Sequence, residues 1–307
     1  MSARCPYAPR AGHLGRFAGL VMLDEGQEGI PGPPAPHVPS ILGTIPDMFF
    51  EPARTDYDLH FTIGGIHIRV HPLFWLVSLL TGLRADTRLA ELLMWVGVVF
   101  VSILVHELGH SLAMWYYDWD SRIVLYSFGG LAIPQSAPGV YRPDDDLSGP
   151  RQILISLAGP AAGFLLAAMI VAAVRLSGHQ LAFSWSTSNL FEVDFESFNN
   201  RNLDLLIFYL LHVNIFWGLV NLLPVLPLDG GRVSRELFVM ANPYDGERKS
   251  LMLSMGAAIA MAVFAAVQLR DQLFTVVLFG YLAYLSYKAL RMLREGYSSG
   301  QGEDRGW

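Results

Sequence analysis

Charge is scarce in this chain of 307 residues: Asp, Glu, Lys and Arg make up 16% of it, against 52% hydrophobic residues. A soluble domain of that length carries about a quarter charged residues, so the balance argues against a globule bathed in water. Cysteine is scarcer still. Cys5 is the only one, which excludes an intramolecular disulfide and a cysteine-based metal site. A basic tract is missing and the formal net charge is −6, so nucleic acid is not an expected partner. A cleaved secretory signal is not expected either. The apolar piece Phe17 to Leu23 is short and lacks a clear small-residue cleavage site.

What the chain has instead is long apolar runs. Residues 1–55 are rich in Pro, Gly and Ala, as in IPGPPAPHVP from Ile30 to Pro39, and read as a disordered N-terminal tail. Residues 56–294 read as a core of about six spans, near 72–83, 89–117, 152–174, 203–223, 250–268 and 272–290. Residues 295–307 form a short C-terminal tail. The first span is short unless the preceding hairpin also dips into the bilayer. Two stretches have strand character, Leu59 to Val70 around Gly64-Gly65 and Ser121 to Pro134 around Gly129-Gly130. A surface helix is expected within 229–249, ending at Asn242-Pro243, and 175–202 reads as a polar and aromatic connector. The expected fold is therefore an all-α polytopic membrane protein with short membrane-associated β-hairpins.

With six spans both termini share one side. That side's membrane-proximal cations are Arg54, Arg69, Arg122, Arg142, Arg151, Arg232, Arg235, Arg248, Lys249, Lys288, Arg291 and Arg294. The other side has Arg84, Arg88, Arg175, Arg201 and Arg270. The excess fits both termini in the cytoplasm; the expected location is a bacterial cytoplasmic membrane. Spans two and four then run in the same direction, so residues near their C-terminal ends meet at similar depth.

The second span carries His106-Glu107-Leu108-Gly109-His110. This H-E-x-x-H pattern puts two imidazoles on one helix face, where both reach a single metal ion, with Glu107 beside a water on that metal. Ionisable groups at membrane depth are costly and mark function. Two histidines making interhelical hydrogen bonds would be the plain structural alternative. The fourth span ends NLLPVLPLDGGR, from Asn221 to Arg232. Pro224 and Pro227 cannot continue a helix, so the backbone unwinds there. Asp229 then offers a carboxylate. His106, His110 and Asp229 make a His₂-carboxylate set, the three protein ligands that a catalytic zinc wants. Taken alone, Asp229 would be an ordinary turn or N-cap residue. Asn221 reads either as a hydrogen-bond donor to substrate or oxyanion or as helix–helix glue. Glue is the favoured role for Asn214, and packing for His212. Cys5 reads as an ordinary free thiol, with capping of the metal by the tail as the sharper alternative.

The two motifs together resemble the site-2 proteases, the intramembrane zinc metalloproteases of peptidase family M50. H-E-x-x-H in one span and N-x-x-P-x-x-x-x-D-G two spans later, here Asn221, Pro224, Asp229 and Gly230, are that family's diagnostic pair. The hairpin before span one, His71-Pro72, the Gly129-Gly130 segment and AGPAAG (Ala158 to Gly163) are also similar to the family. The resemblance covers about residues 57–290, with no PDZ or CBS domain, as in a minimal core member. Gly163 departs from the pattern, since many members have Asn after the Gly-Pro; Gly159 and Gly163 still form a G-x-x-x-G packing face.

The resemblance implies one Zn²⁺ per chain on His106, His110 and Asp229, with Glu107 as the base. It implies a single-span membrane protein as substrate, cut within or beside its transmembrane segment, and Gly129-Gly130 holding the unwound substrate as an added strand. The bland alternative for those glycines is a β-turn plugging the site. Two rival classes remain. A catalytically silent zinc-binding regulator conflicts with the intact Glu107. A metal transporter would need a polar path, and spans five and six offer little beyond Ser254, Gln268, Thr275 and Ser286.

Overall fold

The computed structural model describes residues 51–83, 87–127, 129–135, 149–184, 192–268 and 273–300, with side chains to residue 295. Cys5 and the polar stretch after Gln135 lie outside the described residues. Two strands open the fold, β1 (Leu59–Ile63) and β2 (Ile66–Val70), paired antiparallel with Ile63 opposite Ile66 around the Gly64-Gly65 turn. Helix α1 (Pro72–Gly82) follows at once. The His71 side chain caps it, its Nδ1 accepting from the Leu73 N–H at 3.2 Å, and Pro72 takes the first-turn place where no N–H is needed.

Helix α2 (Leu89–Tyr116) leads to β3 (Asp120–Tyr126) and β4 (Gly129–Gln135). The four strands form one sheet in the order β1-β2-β3-β4, with β2 parallel to β3 and β4 at an edge. This pairing constrains the topology. β2 precedes α1 and β3 follows α2, yet they lie side by side, so α1 and α2 together carry the chain out and back. α1 is only 11 residues, about 16 Å. Among the described residues, five other helices are long and apolar enough to cross a membrane, so the expected six rests on α1 acting as a half-length member of that pair.

The sheet is held to the helices by an apolar face. Ile68, Val70, Ile123 and Leu125 are buried against Phe74, Ile103, Leu104 and Met114. Phe74, Trp75 and Phe100 stack beside them at ring separations of 5.3–6.1 Å. Glu51 ties the incoming chain down, both carboxylate oxygens meeting Arg122 at 2.6 Å and one meeting Arg69 at 2.9 Å.

Helix α3 (Pro150–Leu176) packs tightly on α2. A Cβ at Gly109 would overlap the Ala158 carbonyl, so the two backbones touch. The connector after α3, read from sequence as polar and aromatic, contains a hairpin, β5 (Leu181–Ser184) with β6 (Glu192–Phe195). Its apolar residues Leu181 and Val193 are buried with Val174 and Leu211.

Helix α4 (Arg201–Asn221) is capped by Asn200, whose side chain accepts from Asn202 N–H and Leu203 N–H. It ends before Pro224, and a non-helical segment joins it to α5 (Asp229–Ala241), which ends at Asn242-Pro243. The Leu226–Pro227 bond in that segment is cis. Helices α6 (Gly246–Gln268) and α7 (Leu273–Gly300) close the fold. Leu165, Met169, Ile259, Val263, Val267, Leu273 and Val277 point outward and exposed. Only about a third of each long span is buried inside the protein. In water that would be a large apolar surface; a bilayer is the solvent it matches, and the protein is an integral membrane protein.

Candidate metal centre

α2 puts His106 and His110 one turn apart on its buried face, at 3% and 7% exposure, and Glu107, at 5%, beside them. His110 Nδ1 lies 2.7 Å from the Ile155 carbonyl on α3. A carbonyl only accepts, so Nδ1 carries the hydrogen and the Nε2 lone pair is left facing inward. Nε2 of His110 is 3.2 Å from Nε2 of His106. The carboxylate of Asp229, at the start of α5, closes the group: Oδ2 is 3.1 Å from His106 Nε2 and Oδ1 is 3.4 Å from His110 Nε2.

These separations test whether zinc fits. Ligands about 2.05 Å from a tetrahedral zinc lie about 3.3 Å from one another. Three lone-pair donors 3.1–3.4 Å apart match that edge, and two imidazoles with a carboxylate are the donor set of a catalytic zinc. Ligand-type atoms of His106, Glu107 and His110 also lie within 4.8 Å of one another.

Three backbone approaches shape the centre. A Cβ at Gly159 on α3 would overlap His110 Nε2 and sit 2.8 Å from His106 Nε2, so only a bare backbone leaves room for both rings. A Cβ at Gly130 would overlap Glu107 Cγ and sit 2.5 Å from its Oε1, which places β4 main chain directly on the Glu107 side chain. Gly129, before it, has φ +116°, a conformation that suits glycine, and lies against the Trp217 ring. The cleft they line is about 340 Å³ and also includes Pro52, Tyr126, Trp217, Asn221 and Arg232.

The remaining sequence candidates fall as follows. Asn221 lines the cleft and donates to the Trp217 carbonyl of its own helix at 2.9 Å, which is not a bond between helices. Asn214 is glue, donating to Ser102 Oγ on α2 at 2.9 Å. His212 stacks between Phe208 and Phe216 at 5.6 and 5.7 Å. A Cβ at Gly163 would make ordinary 3.6 Å contacts with Asn214, so the position has room for a larger side chain than glycine.

Tyr126, Trp217 and Arg232 also line the cleft, though the sequence marks none of them as part of the site and Arg232 only as a membrane-proximal cation. Tyr126 ends β3; burial and the nearby Glu107 carboxylate push its phenol above the ordinary value, with Arg232 offsetting them in part. Trp217 carries a buried indole N–H with no hydrogen-bond partner among the described residues. Also unassigned was a support behind Asp229: the Leu226 N–H donates to Ser254 Oγ at 2.8 Å, and that hydroxyl meets Ser286 Oγ at 2.8 Å.

Fold and site thus define a class: a polytopic membrane protein whose apolar helices enclose a buried His-Glu-His-Asp cluster. Peptidase family M50 matches residues 94–263, which hold every member of that cluster, and the chain belongs to this family. It is 25% identical over 224 residues to zinc metalloprotease MJ0392 of Methanocaldococcus jannaschii, covering 72% of this chain and 57% of that protein. It is 26% identical over 228 residues to stage IV sporulation protein FB of Bacillus subtilis, covering 74% and 67%. The match therefore spans little more than half the length of MJ0392. Among solved structures, the site-2 protease from Methanocaldococcus jannaschii is similar at TM-score 0.48 and 21% identity, over 76% of this chain and 95% of that one.

Proposed function

We propose that this protein is an intramembrane zinc endopeptidase that hydrolyses a peptide bond within or next to the transmembrane segment of a single-span membrane protein. The observation that carries this is the convergence of His106, His110, Asp229 and Glu107 beside a glycine-lined strand edge, in a cleft between apolar helices. His106, His110 and Asp229 would hold one zinc ion per chain, which when bound supplies Lewis acidity to the scissile carbonyl and to water. Glu107 takes a proton from the attacking water and returns it to the leaving amine. Asn221 faces the substrate from the cleft wall. β4 is an edge strand, and a substrate helix that unwinds gains backbone partners by adding to it near Gly129-Gly130. Both termini face the cytoplasm of a bacterial cell, which puts the sheet and α5 on the side from which water reaches the cleft.

A transporter reading is less well supported. Ser254 and Ser286, two of the few polar residues in α6 and α7, bind each other and the Leu226 backbone rather than lining a path.

The test is cleavage of a panel of tagged single-span substrates in liposomes by wild type and Glu107→Gln, with bound zinc measured in both. Cleavage by wild type alone, with zinc in both, is expected. Zinc in both and no cleavage of any substrate would favour the silent regulator.

A further inference from the structure

Arg232 stands out among the cations near the cleft. Arg69 and Arg122 are committed to Glu51, and Arg69 also to Asp58. Arg235 is committed to Glu236 at 2.6 Å, with Glu247 at 3.8 Å. Arg232 makes no side-chain hydrogen bond or ion pair among the described residues, although it is half-buried and lines the cleft with His106, Glu107, His110 and Asp229. It lies one helical turn after Asp229, so the two share a face of α5. Its charge reaches both Glu107 and Tyr126. The helix dipole does not hold it there: the first turn of a helix is the positive end, where an anion such as Asp229 is stabilised and a cation is not, so the carboxylates of the cleft are what favour its charge.

We propose that Arg232 is a catalytic residue: its guanidinium donates hydrogen bonds to the scissile carbonyl oxygen as negative charge develops there. The inference rests on the protease reading above. As water attacks, its proton passes to Glu107, whose carboxylate becomes neutral, and the electron pair of the C=O bond moves onto oxygen. The negative charge thus leaves Glu107 and appears on the substrate oxygen. Arg232 balances the first before attack and the second after it. When the C–N bond breaks, the proton goes from Glu107 to the leaving amine and the carboxylate charge is restored. A guanidinium is suited to this, because it stays protonated and presents several fixed donors.

The experiment compares wild type, Arg232→Gln, Arg232→Lys and Arg232→Ala in liposomes, on a substrate that wild type cleaves, with zinc content and Tm measured for each. We expect zinc and Tm near wild type, kcat lowered about 10²- to 10³-fold in Arg232→Gln, and KM changed less than about threefold. Added guanidinium ion is expected to restore part of the activity of Arg232→Ala and none to Glu107→Gln. An effect confined to KM would mean that Arg232 binds an acidic group of the substrate, and would overturn the proposal. Loss of zinc from Arg232→Gln and Arg232→Lys would make it a support for Asp229, with the same consequence. Full kcat in Arg232→Gln beside an active wild type would overturn the Arg232 role alone. A zinc-loaded wild type that cleaves nothing would remove the protease reading, and this proposal with it.

Discussion

Two glycines separate metal binding from chemistry at the level of single residues. Gly159 is a bare patch of backbone under both histidine rings, so Gly159→Ala must push His110 Nε2 out of place. We expect that variant to lose most of its bound zinc. Gly163→Ala, one turn further along α3, is its control: the added methyl meets Asn214 at ordinary contact distance, and zinc content should stay at wild type. Gly130→Ala should behave differently from both. Its methyl strikes Glu107, not a histidine, so zinc stays while kcat falls at least tenfold. Zinc quantification and cleavage rates on the three variants check all of this. His106, Glu107 and His110 were legible as a cluster because their spacing is itself the signal, and Asp229 joined them only through the second motif at the end of the fourth span. The role proposed for Arg232 was not legible: it rests on the absence of a side-chain partner among the described residues, and a sequence does not show who is paired.

Between elements, the non-helical segment from Leu222 to Leu228 is held by the last two helices. Ser254→Val would leave the Leu226 N–H buried without an acceptor, at a cost of about 1–3 kcal/mol. The expected outcome is a lower Tm and a tenfold or greater drop in zinc affinity, since Asp229 follows three residues later. Ser286→Ala leaves that donor satisfied and should do less. A second junction lies outside the spans. Burial alone would raise the Asp58 carboxyl, but hydrogen bonds from Thr55 and Arg69 outweigh it and hold the group below its ordinary value. A carboxylate lowered in the folded state stabilises at pH values above its unfolded pKa and loses that contribution as pH falls through the folded one. The segment from Glu51 to Asp58 should therefore stay protected from protease at neutral pH and become cleavable in acid, below the usual carboxylate range. Protease sensitivity unchanged down to pH 3 would contradict this. The helices and the first two hairpins were legible because apolar runs, turn glycines and prolines mark them locally. The β2–β3 pairing was not, since it joins strands separated by two helices. The β5–β6 hairpin was missed because its alternation is short and its polar residues read as loop.

At the scale of the whole molecule the pattern is enclosure. Apolar helices face lipid, the sheet docks on α1 and α2, and the cleft brings His106, Glu107, His110, Asp229 and the β4 edge together near the end of α4. Hydropathy revealed the membrane class, and two motifs far apart in the chain revealed that spans two and four meet. Substrate choice was not legible, because on the proposed reading it depends on another protein's helix, which this sequence does not contain.

The most direct measurement is mass-spectrometric mapping of the bond cut in a reconstituted single-span substrate, for zinc-loaded wild type and Glu107→Gln side by side. The account predicts one or a few cuts inside or at the edge of the substrate's apolar segment with wild type, and none with Glu107→Gln although its zinc is retained. Cuts only in water-exposed parts of the substrate, or equal cutting by both proteins, would contradict it.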